Sequence, residues 1–195
     1  FGAMDVLCTD KTGTLTQDKI FLARHVDVWG QESEDVLEMA YLNSYYQTGL
    51  KNLLDVAVLE HVEVHRELNV GTAFQKVDEI PFDFTRRRMS VVVAQQDQPH
   101  LLICKGAVEE VLSVCKHVRH GESQEVLTDE LLARIRQVTA AFNEEGLRVV
   151  GVAARSMATG RDTYSLADEQ ELTLIGYVAF LDPPKESTAP ALKAL

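Results

Sequence analysis

Residues 81–105 read PFDFTRRRMSVVVAQQDQPHLLICK, two apolar runs either side of a polar, turn-prone stretch. Met89 to Ala94 and Leu101 to Lys105 have the length and β-branched content of strands, and QQDQPH joins them as a hairpin. A third strand is expected just upstream, from Phe74 to Ile80. Further out, Ile20 to Trp29, Leu147 to Arg155 and Leu172 to Phe180 read as strands too. Helices are expected from Ser33 to about Tyr46, from Asn52 to about Leu68, just after Gly106, and from Thr128 to Glu145, where Gly146 ends the last. The first two should form a hairpin, with Val36, Leu37, Ala40 and Tyr41 facing inward. Locally paired strands with helix hairpins between them predict an α/β (α+β) fold, a largely antiparallel sheet with helices packed on it. Residues 156–170 are polar and read as an exposed loop.

Composition narrows the function. Hydrophobic residues make up 46% of the 195, enough for a proper core, and Lys plus Arg number 19 against 30 Asp plus Glu, a net charge of −11. Such acidity argues against a nucleic-acid partner, which needs a basic face. No apolar run reaches the roughly 18 residues needed to span a bilayer. Three cysteines without a CxxC pair fit a reduced compartment. His61 and His65 lie four apart on a predicted helix, but without a third ligand they read as a solvated face rather than a zinc site.

Chemistry enters with DKTGTLT, Asp10 to Thr16, after the short apolar run Met4 to Cys8. A carboxylate at the end of a buried strand can attack phosphorus and form an acyl phosphate. Thr and Gly after it offer hydroxyls and backbone groups to phosphate oxygens and a divalent cation. The motif is similar to the DxDGT of the haloacid-dehalogenase superfamily, with Thr12 where the second, acid–base aspartate would stand. An aspartyl phosphate made without that group should persist.

Here the chain resembles the P-type ATPases, and the likeness spans nearly its whole length. PFDFTRRRMS resembles the segment whose phenylalanine, here Phe82, stacks on adenine. KGAVE, from Lys105 to Glu109, resembles the family's KGAPE, and GLRVVGVA, from Gly146 to Ala153, the strand that carries a nucleotide-contacting arginine, here Arg148. NLLDVA, from Asn52 to Ala57, is similar to DPTEGA, with Asp55 at the acidic position. Arg87 falls where many relatives carry lysine, and Phe84 replaces an arginine or other polar group. DPPK, with Asp182, Pro183 and Pro184, resembles a hinge.

The resemblance implies three parts: residues 1–18 beginning a phosphorylation domain, 19–180 a nucleotide-binding domain, and 181–195 a hinge leading back. It implies ATP and Mg2+ as cofactors, Asp10 as the phosphorylated catalytic residue, and Asp10 with Thr12 as magnesium contacts once that domain is complete. Asp55, Phe82, Arg87, Lys105, Gly106 and Arg148 would bind the nucleotide. Asp55 would accept from the adenine amino group, and Gly106 would let ATP approach. The implied partners are the pump's own phosphorylation, actuator and transmembrane domains. NSYYQTGLKNLLDVAVL together with IPFDFTRRRMSVVV looks like the bacterial magnesium-transporting branch, at the cytoplasmic face of the inner membrane. The segment itself is expected to be soluble, to bind ATP without turnover, and to leave its Asp10 loop hanging beside the folded part. A haloacid-dehalogenase-type phosphatase and a non-catalytic nucleotide-sensing module are the alternatives.

Overall fold

A computed structural model describes residues 8–10, 13–61 and 69–194. Its strands are β1 (Phe21–Asp27), β2 (Phe74–Asp83), β3 (Arg88–Gln95), β4 (His100–Ala107), β5 (Cys115–His120), β6 (Ser123–Val126), β7 (Arg148–Met157) and β8 (Leu172–Leu181). Its helices are α1 (Glu34–Tyr46), α2 (Leu53–Leu59), α3 (Val70–Ala73), α4 (Val108–Leu112), α5 (Asp129–Glu144) and α6 (Thr188–Ala194). The strands form one sheet in the order β2-β3-β4-β7-β8-β5-β6, with β1 also paired to β8. Every pairing between these strands is antiparallel except β5 with β8. The largely antiparallel sheet expected from the sequence is therefore present.

β8 is central, flanked by β7 on one edge and by β1 and β5 on the other, and its first nine residues are buried. That explains its unbroken apolar run: a strand covered on both faces has no solvent side on which to alternate. One face carries α1 and α2, whose Val36, Leu37, Ala40, Tyr41, Ala57 and Val58 join Met89, Val91, Ile103 and Val152 in one core. The other face packs under α4 and α5, where Val92, Cys104, Ile135 and Phe142 meet. On β3 the period of two is explicit: Met89, Val91 and Val93 face the α1–α2 side, and Val92 faces the opposite core.

Local signals explain most boundaries. Asn52 caps α2 by accepting from the N–H groups of Leu54 and Asp55, and Asp55 returns the bond to the Asn52 N–H. Thr128 caps α5, and Gly146, at φ +80°, ends it in the left-handed conformation that glycine adopts at least cost. Ser33 precedes α1, but its side chain makes no capping bond.

Three expectations need correcting. α2 stops at Leu59 instead of running unbroken to Leu68, and residues 62–68 lie outside the described residues. Cys115–His120 and Ser123–Val126 form a hairpin not read from the sequence; Val118 is its one fully buried residue, so it lacks an alternating signal. The segment 156–170 is not simply an exposed loop, because Met157, Tyr164 and Glu169 are buried within it.

The ends of the described chain meet. The Gln17 N–H donates to Pro183 O at 2.9 Å, the Lys185 N–H to Leu15 O at 2.9 Å, and Lys185 Nζ to Gly13 O at 2.5 Å. Thr188 Oγ1 also donates to Leu15 O at 2.6 Å. From Gly13 onward, then, the DKTGTLT loop does not hang loose: it is tied to the segment just after β8. Asp10 itself is exposed, while the Met4 to Cys8 strand (apart from Cys8), Lys11 and Thr12 fall outside the described residues.

Candidate nucleotide-binding site

A cleft opens where the end of β2, the start of β3 and the end of β4 approach the N-terminus of α2 and the start of β7. It has two lobes, of about 670 and 420 Å³, which share Asn52, Leu54, Phe82, Phe84, Met89 and Arg148. This is the size range of small-ligand sites, and the shared wall is largely apolar with a few polar groups, as such sites are. The smaller lobe brings together all six residues expected to bind nucleotide: Asp55, Phe82, Arg87, Lys105, Gly106 and Arg148.

Phe82, in the exposed end of β2, is 49% exposed, an unusual state for a phenylalanine with a core nearby. Phe82 is therefore not an ordinary core phenylalanine. Phe84, for which the sequence suggested no role, is 90% exposed and meets Phe82 edge to face with ring centroids 5.4 Å apart. The two rings form an open aromatic corner on the cleft wall.

Lys105 lies at the floor, 8% exposed. Its Nζ donates to Asp55 Oδ1 at 2.7 Å and also to Ser44 Oγ, which itself donates to Asp55 Oδ1 at 3.0 Å. Burial pushes the Asp55 carboxyl up, but the Lys105 charge and hydrogen bonds overcome it and hold the group below its usual value. Burial dominates for Lys105, and despite Asp55 its ammonium is held below the ordinary lysine range. Asp55 is thus engaged by Lys105, Ser44 and the Asn52 N–H, partners that the expectation of an adenine contact did not include. Ser44 was missed because a serine inside α1 carries no local mark.

Gly106 lines the smaller lobe and also serves packing. A Cβ there would lie 2.5 Å from Arg87 O and from Arg88 Cβ, so the missing side chain is what lets the start of β3 pack this close. Gly106→Ala is expected to destabilise the domain by about 1–3 kcal/mol, because the nearest obstacle is backbone and cannot rotate away. Urea unfolding with an unchanged midpoint would contradict this.

The arginine run divides its duties. Arg86 Nη1 and Arg88 Nε both donate to Glu169 Oε2, at 2.6 and 3.0 Å, so neither is directed at the cleft. Arg87 alone lines it, at φ +46°, with Nη2 donating to Glu110 Oε1 at 2.5 Å. Arg148, the exposed first residue of β7, lines both lobes. At the mouth, Glu79 accepts from the Thr48 N–H at 2.9 Å, from the Thr48 hydroxyl, and from Lys76 Nζ at 2.6 Å, pinning the α1–α2 connection to β2.

Other chemistry is sparse. Cys8, Cys104 and Cys115 are free thiols, and burial pushes Cys104 up to about 12, so it stays an inert core group. Among the described residues no group of three or more His, Cys, Asp or Glu side chains could hold a metal ion, and His65 and Thr12 lie outside them. No helix among them is long and apolar enough to cross a membrane.

An open aromatic corner above a buried Lys–Asp floor, on an antiparallel sheet with helices on both faces, defines a small-ligand-binding α/β domain. Residues 50–187 match the family described as P-type ATPase, cytoplasmic domain N, and the chain belongs to that family. It is 58% identical over all 195 residues to the magnesium-transporting ATPase, P-type 1, of Escherichia coli K12, covering 22% of that protein. A protein of the same name from Salmonella typhimurium LT2 is 48% identical over 198 aligned residues, again with 22% of its length covered. A calcium-transporting ATPase from Listeria monocytogenes is 26% identical over 212 aligned residues, spanning 98% of this chain and 24% of its own. The chain thus spans less than a quarter of the length of these relatives.

Proposed function

We propose that this domain binds ATP in the cleft and, within a complete P-type pump, presents it for phosphoryl transfer to Asp10. The convergence of Asp55, Phe82, Arg87, Lys105, Gly106 and Arg148 on one lobe carries this reading. Phe82, with Phe84 at its edge, offers the adenine a face to stack on. Arg87 and Arg148 offer guanidinium groups to phosphate oxygens. Lys105, hydrogen-bonded to Asp55 and Ser44, places a donor at the floor, where water is scarce and polar interactions are strong.

Magnesium would neutralise charge on the phosphates during transfer. The described residues do not by themselves make a magnesium site, and the chain's own contribution is to bind and orient the nucleotide. Asp182, Pro183 and Pro184 would act as the hinge, since β8 ends at Leu181 and the chain there pairs with the segment leading into β1. The likeness to magnesium-transporting ATPases favours magnesium as the transported ion, with phosphorylation, actuator and transmembrane domains of the same pump as partners and the cytoplasmic face of a bacterial inner membrane as the location. Membership of the domain N family sets aside the soluble phosphatase.

Calorimetric titration of the domain with ATP tests the reading. One site is expected with a Kd on the order of 0.1–1 mM, since most of the cleft wall is apolar and few cations face it. Absence of heat or of saturation up to about 10 mM ATP would overturn it.

A further inference from the structure

The segment between β7 and β8 runs as a strap against the β2–β3 hairpin. The Tyr164 N–H donates to Asp78 Oδ2 at 2.6 Å on β2, and the Tyr164 hydroxyl lies 2.9 Å from His100 Nδ1 at the start of β4. Further along, Glu169 has a side chain with no solvent exposure. Its Oε2 accepts from Arg86 and Arg88, and its Oε1 from Ser90 Oγ at 2.7 Å. One carboxylate therefore holds three residues of the hairpin. Ser90 neighbours Met89, which lines the cleft, so on a strand of period two Glu169 braces β3 from the face opposite the cleft.

The link to the aromatic corner is short. Arg86 Nη2 donates to Pro81 O at 2.7 Å, while its Nη1 binds Glu169. Pro81 immediately precedes Phe82. Asp83 Oδ1 accepts from the N–H groups of Thr85 and Arg86, closing the turn on itself. The exposed tip that carries Phe82 and Phe84 is thus tied to the core through Arg86. Two mostly buried guanidinium groups cannot hold that place without a counter-charge.

We propose that Glu169 is a positioning residue for the stacking platform: acting through Arg86 and the Pro81 carbonyl, it fixes Phe82 where adenine meets it. The inference rests on reading the cleft as the nucleotide site, and its test separates the two. ATP affinity is measured by calorimetry for the parent domain, Phe82→Ala, Glu169→Gln and the double variant, with circular dichroism to confirm folding. Glu169→Gln is expected to weaken ATP binding roughly 5-fold or more in the parent, and to have no further effect once Phe82 is absent. A purely structural role would not give that non-additivity. If Phe82→Ala binds like the parent, the cleft reading fails. If Phe82→Ala binds weakly while Glu169→Gln matches the parent, or adds its full loss on top of Phe82→Ala, the positioning role fails and the cleft stands. Should Glu169→Gln not fold, Arg86→Gln replaces it in the same cycle with the same outcomes, because Glu169 then keeps Arg88 and Ser90 while the tie to Pro81 is cut.

Discussion

Phe82→Ala is expected to weaken ATP binding by about 1–3 kcal/mol, roughly 5- to 150-fold, without loss of fold. The size follows from what the ring does in each state. In the unliganded domain Phe82 is half exposed and touches Phe84 at its edge, so truncation removes little from the core. In the liganded domain the ring would cover one face of the base, and that stacking is lost. The same variant should therefore show a urea midpoint within error of the parent, with a much higher Kd for ATP. Equal affinities would mean that the aromatic corner is not where the base lies.

The second large effect concerns stability. Asp55→Asn keeps the volume and much of the capping geometry but removes the charge that faces Lys105 at 2.7 Å. Breaking a buried pair from one side costs about 3–5 kcal/mol, because the remaining charge is left without compensation. In a domain of this size that lowers Tm by about 6–20 °C. The pH dependence carries a sign. Burial already holds Lys105 below its usual range, and without Asp55 its folded-state pKa falls further. The unfolded chain keeps that proton up to about 10.4, so between the two values it binds more protons than the folded one. The stability lost in Asp55→Asn should therefore be partly regained as pH rises from neutrality towards 10. In the parent, by contrast, the depressed Asp55 pKa means stabilisation that is present above about 4 and lost as pH falls through the folded value. Asp55→Ala with Lys105→Met should recover much of the stability, since no charge is then stranded, but not ATP affinity. Equal urea midpoints for parent and Asp55→Asn from pH 6 to 10 would contradict this account.

The sheet was readable where alternation or continuous apolarity is strong. Met89 to Ala94 and Leu101 to Lys105 are such runs, and both are strands within a residue or two. Phe82, Lys105 and Arg148 were singled out through the resemblance of their segments to a known family, and all three line one cleft. The brace behind them was not legible. Glu169 sits in ADEQE, among other acidic residues, and only a contact with residues 79 to 83 positions earlier distinguishes it. A sequence shows the charge but not the distant partners that make burial tolerable. The packing role of Gly106 was hidden for a related reason: permissiveness at a glycine is visible locally, whereas the neighbour that needs the space belongs to another part of the chain. Arg86, Arg87 and Arg88 are indistinguishable as charges in sequence, yet strand and turn geometry directs Arg86 and Arg88 to Glu169 and Arg87 to the cleft.

The central claim is that one cleft, walled by Phe82 and floored by Lys105, holds the nucleotide. Amide and side-chain chemical-shift mapping during an ATP titration tests it most directly. The account predicts saturable shifts at Asn52, Phe82, Phe84, Lys105, Gly106 and Arg148, all reporting one Kd and all fading together in Phe82→Ala. Shifts confined to other surfaces of the sheet, with these six unmoved at saturating ATP, would contradict it.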